Sequence, residues 1–500
     1  MDLARPLKVA KAILQLEWLL RLATVAQWTA PRSGPHPWAA NLSQRRDDLG
    51  STASRRRMQR STKVKFTRHR LLTTAIAAGL VAGLAGCGTA GGTGNTGTTG
   101  DYVAPESDIT ATLTVSNWGN PGDEVLYQAA IDRFNERYPN VTVTNNVTQV
   151  VNWSDYINKI LTSIASGDAP DIINIATEGV EFGLSKDLFL PLTNYIKQDD
   201  SVKNLIDDID PNLIAGFTKD GDTYLVPNNW NAMVVYYNKA MFDTAGIERP
   251  SDDWTWDDFH AIAGQLTSGS GSGKTYGFGL QTYTFAYFPW LYSNGGSIAT
   301  DDLSAPALDS PETVEAVQFL QDLVLKDGYA PDPAGTEANQ LFQAGRVAMT
   351  AAPANLSAIL VQDVPDFEFG ILPMPQNTEK KTVFGAAGFS VYKESKNQDL
   401  AWELIKELAS QDTQAGWAEL GSSNPTTLTA ATSDVFVNRH PDASVLYDAI
   451  QYAKPVAAPT FFTTLEPAFQ RALQAIMAGG DPAEELAKAQ AEVEATVGNG

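Results

Sequence analysis

Five hundred residues are enough for two domains with sizeable cores, and 43% hydrophobic and 19% charged residues mark an ordinary globular chain, not a disordered one. The formal charge of −22 is unevenly spread, because residues 1–87 hold 15 of the 36 Lys+Arg and only 4 of the 58 Asp+Glu. The acidic remainder argues against nucleic acid or an anionic membrane surface as a partner and mildly disfavours a polyanionic ligand.

From the N-terminus, residues 1–57 carry a short apolar patch and an Arg-rich stretch that fit no folded element. A basic stretch opens at Met58 with Arg60, Lys63, Lys65, Arg68 and Arg70, and an apolar run over 71–84 follows. That is the plan of a secretory signal, and the run is too short for an ordinary membrane-spanning helix. A signal works from the N-terminus, so translation is expected to begin at Met58, with 1–57 a non-native extension. Leu84-Ala85-Gly86-Cys87 closes the segment on the chain's single cysteine, which can form neither an internal disulfide nor a Cys-rich metal site. This tetrad resembles the lipobox of bacterial lipoproteins, which implies cleavage of a signal at 58–86 and acylation of Cys87, anchoring the protein to the membrane. The Gly- and Thr-rich stretch that follows, within a linker at 87–107, suits a flexible tether.

The body of the chain alternates strand-like and helix-like segments. Residues 109–116 alternate with period two and are β-branched; 122–138 carry apolar residues at helical spacing and stop at Pro139-Asn140. A strand at 141–147, an amphipathic helix at 153–166 and a short apolar strand at 171–175 complete a βαβαβ opening, the sign of a mostly parallel sheet wound by helices. Further strands are expected at 224–226, 233–237, 276–280, 347–350, 367–371 and 388–392. Helices are expected at 256–266, 311–326, 338–343, 399–410 and 467–478. The Ala- and Glu-rich stretch 481–497 reads as a helix packed outside the core.

Several segments then look familiar together. Asp220-Gly221-Asp222-Thr223-Tyr224-Leu225-Val226-Pro227, Val235-Tyr236-Tyr237-Asn238-Lys239-Ala240-Met241-Phe242, Ala245-Gly246-Ile247 and Trp254-Thr255-Trp256-Asp257-Asp258-Phe259 resemble the central signature of the family 1 extracellular solute-binding proteins, the group containing maltose-binding protein. Ser166-Gly167-Asp168-Ala169-Pro170-Asp171-Ile172, Phe342-Gln343-Ala344-Gly345-Arg346-Val347-Ala348-Met349 and Ile371-Leu372-Pro373-Met374-Pro375 extend the match, in order, over nearly all of the chain after Cys87. The resemblance implies an α/β fold of the two-lobed periplasmic-binding-protein type (type II), with a ligand cleft between lobes joined by hinge strands. Lobe 1 would take 108–238 and 393–424, and lobe 2 would take 239–384 and 435–500. Crossings are expected near 235–239 and 384–392, with a third near 424–434. It also implies a monomer that captures a sugar or oligosaccharide and passes it to ABC transporter permease subunits, the alternative solutes being polyols and glycerophosphodiesters. Coupling to a membrane sensor in place of a permease stays open.

A sugar offers apolar C–H faces and hydroxyl edges, so its site wants aromatic platforms beside a few hydrogen-bonding groups. Trp118 follows the first strand and Glu178 the third, at the carboxyl ends where open α/β sheets bind ligands. Glu178 also reads as an exposed acidic residue at a helix start. Trp230 precedes the first crossing, and Tyr283 and Tyr287 lie four apart on one helical face. Gly388 permits close backbone approach at the second crossing, and Asn424 lies in a loop that the resemblance places at the cleft rim. Trp153, Trp254, Trp256, Trp402 and Trp417 read as packing residues. The competing reading is a secreted glycosidase, since acidic and aromatic residues line those clefts too. Only His260 and His440 follow Cys87, without metal-ligand spacing, and there is no Gly-x-Ser-x-Gly, His-Glu-x-x-His or P-loop motif. No catalysis, cofactor or metal is expected.

Overall fold

The computed structural model describes residues 102–119, 122–149, 152–362 and 365–497. The expected signal, the tether up to residue 101 and Cys87 lie outside the described residues. Among the described residues no helix is long and apolar enough to cross a membrane.

The chain opens as β1 (Ala111–Trp118), α1 (Glu124–Arg137), β2 (Val141–Thr148), α2 (Trp153–Ser166), β3 (Ile172–Ala176) and α3 (Thr177–Ser185), the alternation read from the sequence. Strands β1, β2 and β3 are parallel, with β1 in the middle. Next come β4 (Val226–Ala232) and β5 (Val234–Asn238), α4 (Trp256–Leu266), β6 (Tyr276–Gly279), α5 (Pro311–Leu325), β7 (Val347–Ala352), β8 (Phe369–Leu372) and β9 (Thr382–Val391). The C-terminal part supplies α6 (Gln398–Leu408), α7 (Gln411–Leu420), β10 (Asn424–Pro425), α8 (Ala443–Asp448), β11 (Ala453–Pro455), α9 (Phe462–Met477) and α10 (Pro482–Val497).

Two sheets organise these elements. The first runs β10-β4-β9-β3-β1-β2, with β11 also paired to β9; the second runs β8-β5-β7-β6. The chain passes between them at Met233, the residue separating β4 from β5. There Met233 N donates to Val383 O at 3.2 Å and the Thr382 hydroxyl donates to Met233 O at 2.7 Å, so two crossing strands are tied together. Alternation along β5 decides which core each side chain enters. Val234 and Tyr236 join the apolar cluster that fills the first sheet and continues over one face of the second. Val235 and Tyr237 face the other cluster, beneath α4, α5, α9 and α10.

Four expectations need correction. The third passage falls in residues 456–461, not near 424–434, because Asn424–Pro425 pairs with β4 and Ala453–Pro455 still pairs with β9. Residues 435–455 accordingly do not all belong to the second lobe: Phe436 and Leu446 sit in the first cluster, while His440 stacks on Phe369 of β8. Helix α10 is no outer appendage. Leu486 and Val493 are fully buried, and the Gln490 side chain accepts from Leu308 N and donates to Pro306 O. Its Ala-rich face looked weakly apolar, but small residues let it approach α9 closely. Helix α9 starts five residues before the expected Pro467, which sits inside it.

Candidate functional site

In the first sheet, β1 and β3 run parallel and both end at one edge. Trp118 closes β1, half-buried, and its ring lies 5.0 Å from that of Trp153, the first residue of α2. Trp153, expected as plain packing, is also half-buried and rests edge-on against Tyr156. The pair forms an aromatic surface where the first sheet ends.

Glu178 stands in the first turn of α3, directly after β3, and is 4% exposed. It is not an exposed acidic residue at a helix start. The Thr177 hydroxyl donates to its Oε2 at 3.0 Å. Burial dominates its titration and pushes it up to about 7, with the charge of Glu466 acting in the same direction. Gly385 of β9 faces it: a Cβ there would lie 3.2 Å from Glu178 Oε1 and 3.4 Å from the Phe285 ring. A glycine on the crossing strand thus leaves room between a carboxylate of the first lobe and an aromatic of the second.

On the second lobe, Tyr283 and Phe285 are half-buried around Thr284, just past the carboxyl end of β6. The Thr284 hydroxyl donates to Glu466 Oε1 at 3.1 Å. Glu466, on α9, takes Ser154 of α2 on its other oxygen, with Oγ at 2.5 Å and the backbone N at 3.3 Å. Burial raises the Glu466 carboxyl above the usual range. Among the described residues neither Glu178 nor Glu466 forms an ion pair, and no basic group acts on either. Asn231 of β4 also spans the lobes: its Oδ1 accepts from Ala354 N at 3.2 Å while its Nδ2 donates to Ser423 Oγ at 3.0 Å.

The remaining sequence candidates stand deeper. Trp230 is fully buried, donates from Nε1 to Pro425 O at 3.0 Å and packs edge-on against Tyr447. Tyr287 is buried in the second core, so of the expected tyrosine pair only Tyr283 is partly open. Gly388 is where β9 shifts register against β4; a Cβ would come within 2.9 Å of Val226 O, so the glycine is required by the neighbouring strand. Asn424 is buried and donates to Leu446 O at 3.1 Å. Sequence reasoning missed Glu466, Ser154, Asn231, Phe285 and Gly385. Glu466 had a signal: it interrupts the apolar stripe of Phe462, Leu465, Phe469 and Leu473 on a helix, where a carboxylate needs a reason.

The sequence pattern of the bacterial extracellular solute-binding proteins matches residues 129–444. The chain belongs to that family. Among curated relatives, an arabinooligosaccharide-binding protein of Halalkalibacterium halodurans is 26% identical over 334 residues, which cover 64% of this chain and 72% of the relative. An sn-glycerol-3-phosphate-binding periplasmic protein of Pectobacterium atrosepticum is 24% identical over 349 residues, 65% of this chain and 76% of the relative. Among solved structures, an ABC substrate-binding protein of Listeria monocytogenes in complex with cycloalternan superposes with a TM-score of 0.70 at 24% identity, covering 78% of this chain and all of that one. The last similarity gives the fold: two α/β lobes. The family's role is the capture of solutes outside the cell.

Proposed function

We propose that this solute-binding protein captures a neutral sugar or oligosaccharide and delivers it to the permease of an ABC importer, as a monomer anchored to the outer face of the membrane through a lipid on Cys87. The observation that supports the choice of solute is the set of side chains at the carboxyl ends of β1 and β3. A half-buried tryptophan pair, Trp118 and Trp153, ends the first sheet, and the buried carboxylate of Glu178, in the turn after β3, has no basic partner. Indole faces suit the C–H faces of a pyranose, and carboxylates accept hydrogen bonds from hydroxyls. A phosphate would instead need guanidinium or ammonium groups that could neutralise it. The arabinooligosaccharide-binding relative supports the same choice.

In this reading Trp118, Glu178 and Tyr283 touch the solute, while Trp230, Tyr287, Gly388 and Asn424 hold the walls that position them. Closure of two lobes around the solute buries it from both sides and gives the permease a liganded shape to recognise. Binding is the whole activity, and no bond of the solute is broken. A thermal-shift screen against mono-, di- and oligosaccharides, with sn-glycerol 3-phosphate and glycerophosphodiesters alongside, tests the solute class. A ligand that binds only the folded state stabilises it by about 2.7 kcal/mol at a hundredfold excess over its Kd. A shift with neutral saccharides is expected. A shift confined to the phosphorylated compounds would overturn the sugar assignment and leave the binding role standing.

A further inference from the structure

Helix α2 begins with an unusual division of labour. Its N-cap, Asn152, accepts from Asp155 N at 2.8 Å, covering one of the free N–H groups of the first turn. Another, Ser154 N, is covered from outside the lobe by Glu466 Oε2 at 3.3 Å, and the same oxygen takes the Ser154 hydroxyl at 2.5 Å. Helix α2 packs in the core of the first sheet through Tyr156, Ile157 and Ile160, whereas α9, which bears Glu466, packs in the second core through Leu465 and Phe469. A carboxylate of one lobe is therefore a helix cap of the other. It stands where the helix presents its positive end. Its second oxygen is held at 3.1 Å by Thr284 of its own lobe, which fixes the direction in which the carboxylate points.

We infer that Glu466 and Ser154 form a closing latch: a hydrogen-bonded contact made only when the lobes are shut, which holds the closed form without help from a solute. When the lobes part, Glu466 and the Ser154 N–H exchange each other for water, while Asn152 and Thr284 keep their partners. The contact therefore biases closure without contributing to the folding of either lobe alone. Charge-assisted hydrogen bonds of this kind shift an equilibrium by roughly tenfold or more each. Every solute gains from that bias, because a larger share of the protein is already competent. The latch needs the two-lobed binding role but not the choice of sugar.

The test uses the solute-free protein in a Cys87→Ser background, with spin labels at exposed Lys186 on the first lobe and Lys326 on the second, each replaced by cysteine. Pulsed electron-electron resonance then gives the distribution of distances between the lobes. Glu466→Ala and Ser154→Ala are each expected to lower the closed fraction by about tenfold relative to the open one. The double variant should fall no further than Glu466→Ala, since one contact is lost in either case. Ser154→Ala removes one hydroxyl only, so it decides the matter even where Glu466→Ala does not fold. An unchanged distribution in Ser154→Ala, or full additivity in the double variant, overturns the latch. No sugar enters the measurement, so its failure is separate from a failure of the solute assignment.

Discussion

Glu178 offers a prediction whose size can be worked from its surroundings. Its carboxyl is buried, held by one hydroxyl and raised to about 7 from an ordinary 4.5. In the unfolded chain it ionises near the ordinary value, so between these two pH values the folded protein holds more protons than the unfolded one. Stability from this group is therefore undiminished below about pH 4.5, falls as pH rises and is lowest above about pH 7. At about 1.4 kcal/mol per unit, the cost at pH 8 is about 3 kcal/mol. Glu178→Gln keeps the shape and hydrogen-bonding capacity but carries no charge, so it removes that cost. With an unfolding entropy of about 2 cal/mol/K per residue over the folded body, the Tm should rise by about 4 °C at pH 8 and by about 1 °C or less at pH 4.5. Calorimetric scans of both proteins at the two pH values check this. A Tm difference that is the same at both pH values, or a variant less stable at pH 8, would refute the buried, unpaired state of this carboxylate.

The aromatic pair and the glycines give further predictions. Trp118→Ala should weaken sugar binding about tenfold while leaving the circular dichroism spectrum intact, because the ring is half-buried at the margin of the core and not enclosed by it. Trp230→Ala, by contrast, opens a cavity in a fully buried position and should cost about 3–5 kcal/mol in urea unfolding; a well-folded variant with only a binding defect would contradict its placement. Gly388→Ala should destabilise by about 1–3 kcal/mol, since its methyl meets Val226 O at 2.9 Å. Leu486→Ala should cost about 2–5 kcal/mol, and a neutral result would return α10 to the outside of the core.

Much of the first lobe was legible because its signals are local. The period-two pattern of β1 and the 3.6-period face of α2 each specify an element without reference to distant residues, and α2 spans the expected 153–166. The ordered motifs supplied the family, and with it the two-lobed fold. What escaped depends on contacts across the chain. The third passage moved to residues 456–461 because three residues, Ala453–Pro455, find a partner in β9 that no local pattern announces. Trp230 and Trp118 are alike in sequence, yet Pro425 and Tyr447 enclose one, while the other is half-buried against Trp153 and the margin of the first core. Glu466 and Ser154 lie 312 residues apart, so their meeting depends on how α9 lies against α2 and on no segment by itself.

The most direct measurement is a calorimetric titration of the purified protein with neutral arabino- and gluco-oligosaccharides and, separately, with sn-glycerol 3-phosphate. Saturable binding of a neutral oligosaccharide, lost tenfold or more in Trp118→Ala and absent for the phosphate, is the expected result. Binding of the phosphate with no response to any neutral saccharide would contradict the assignment of this cleft to sugars.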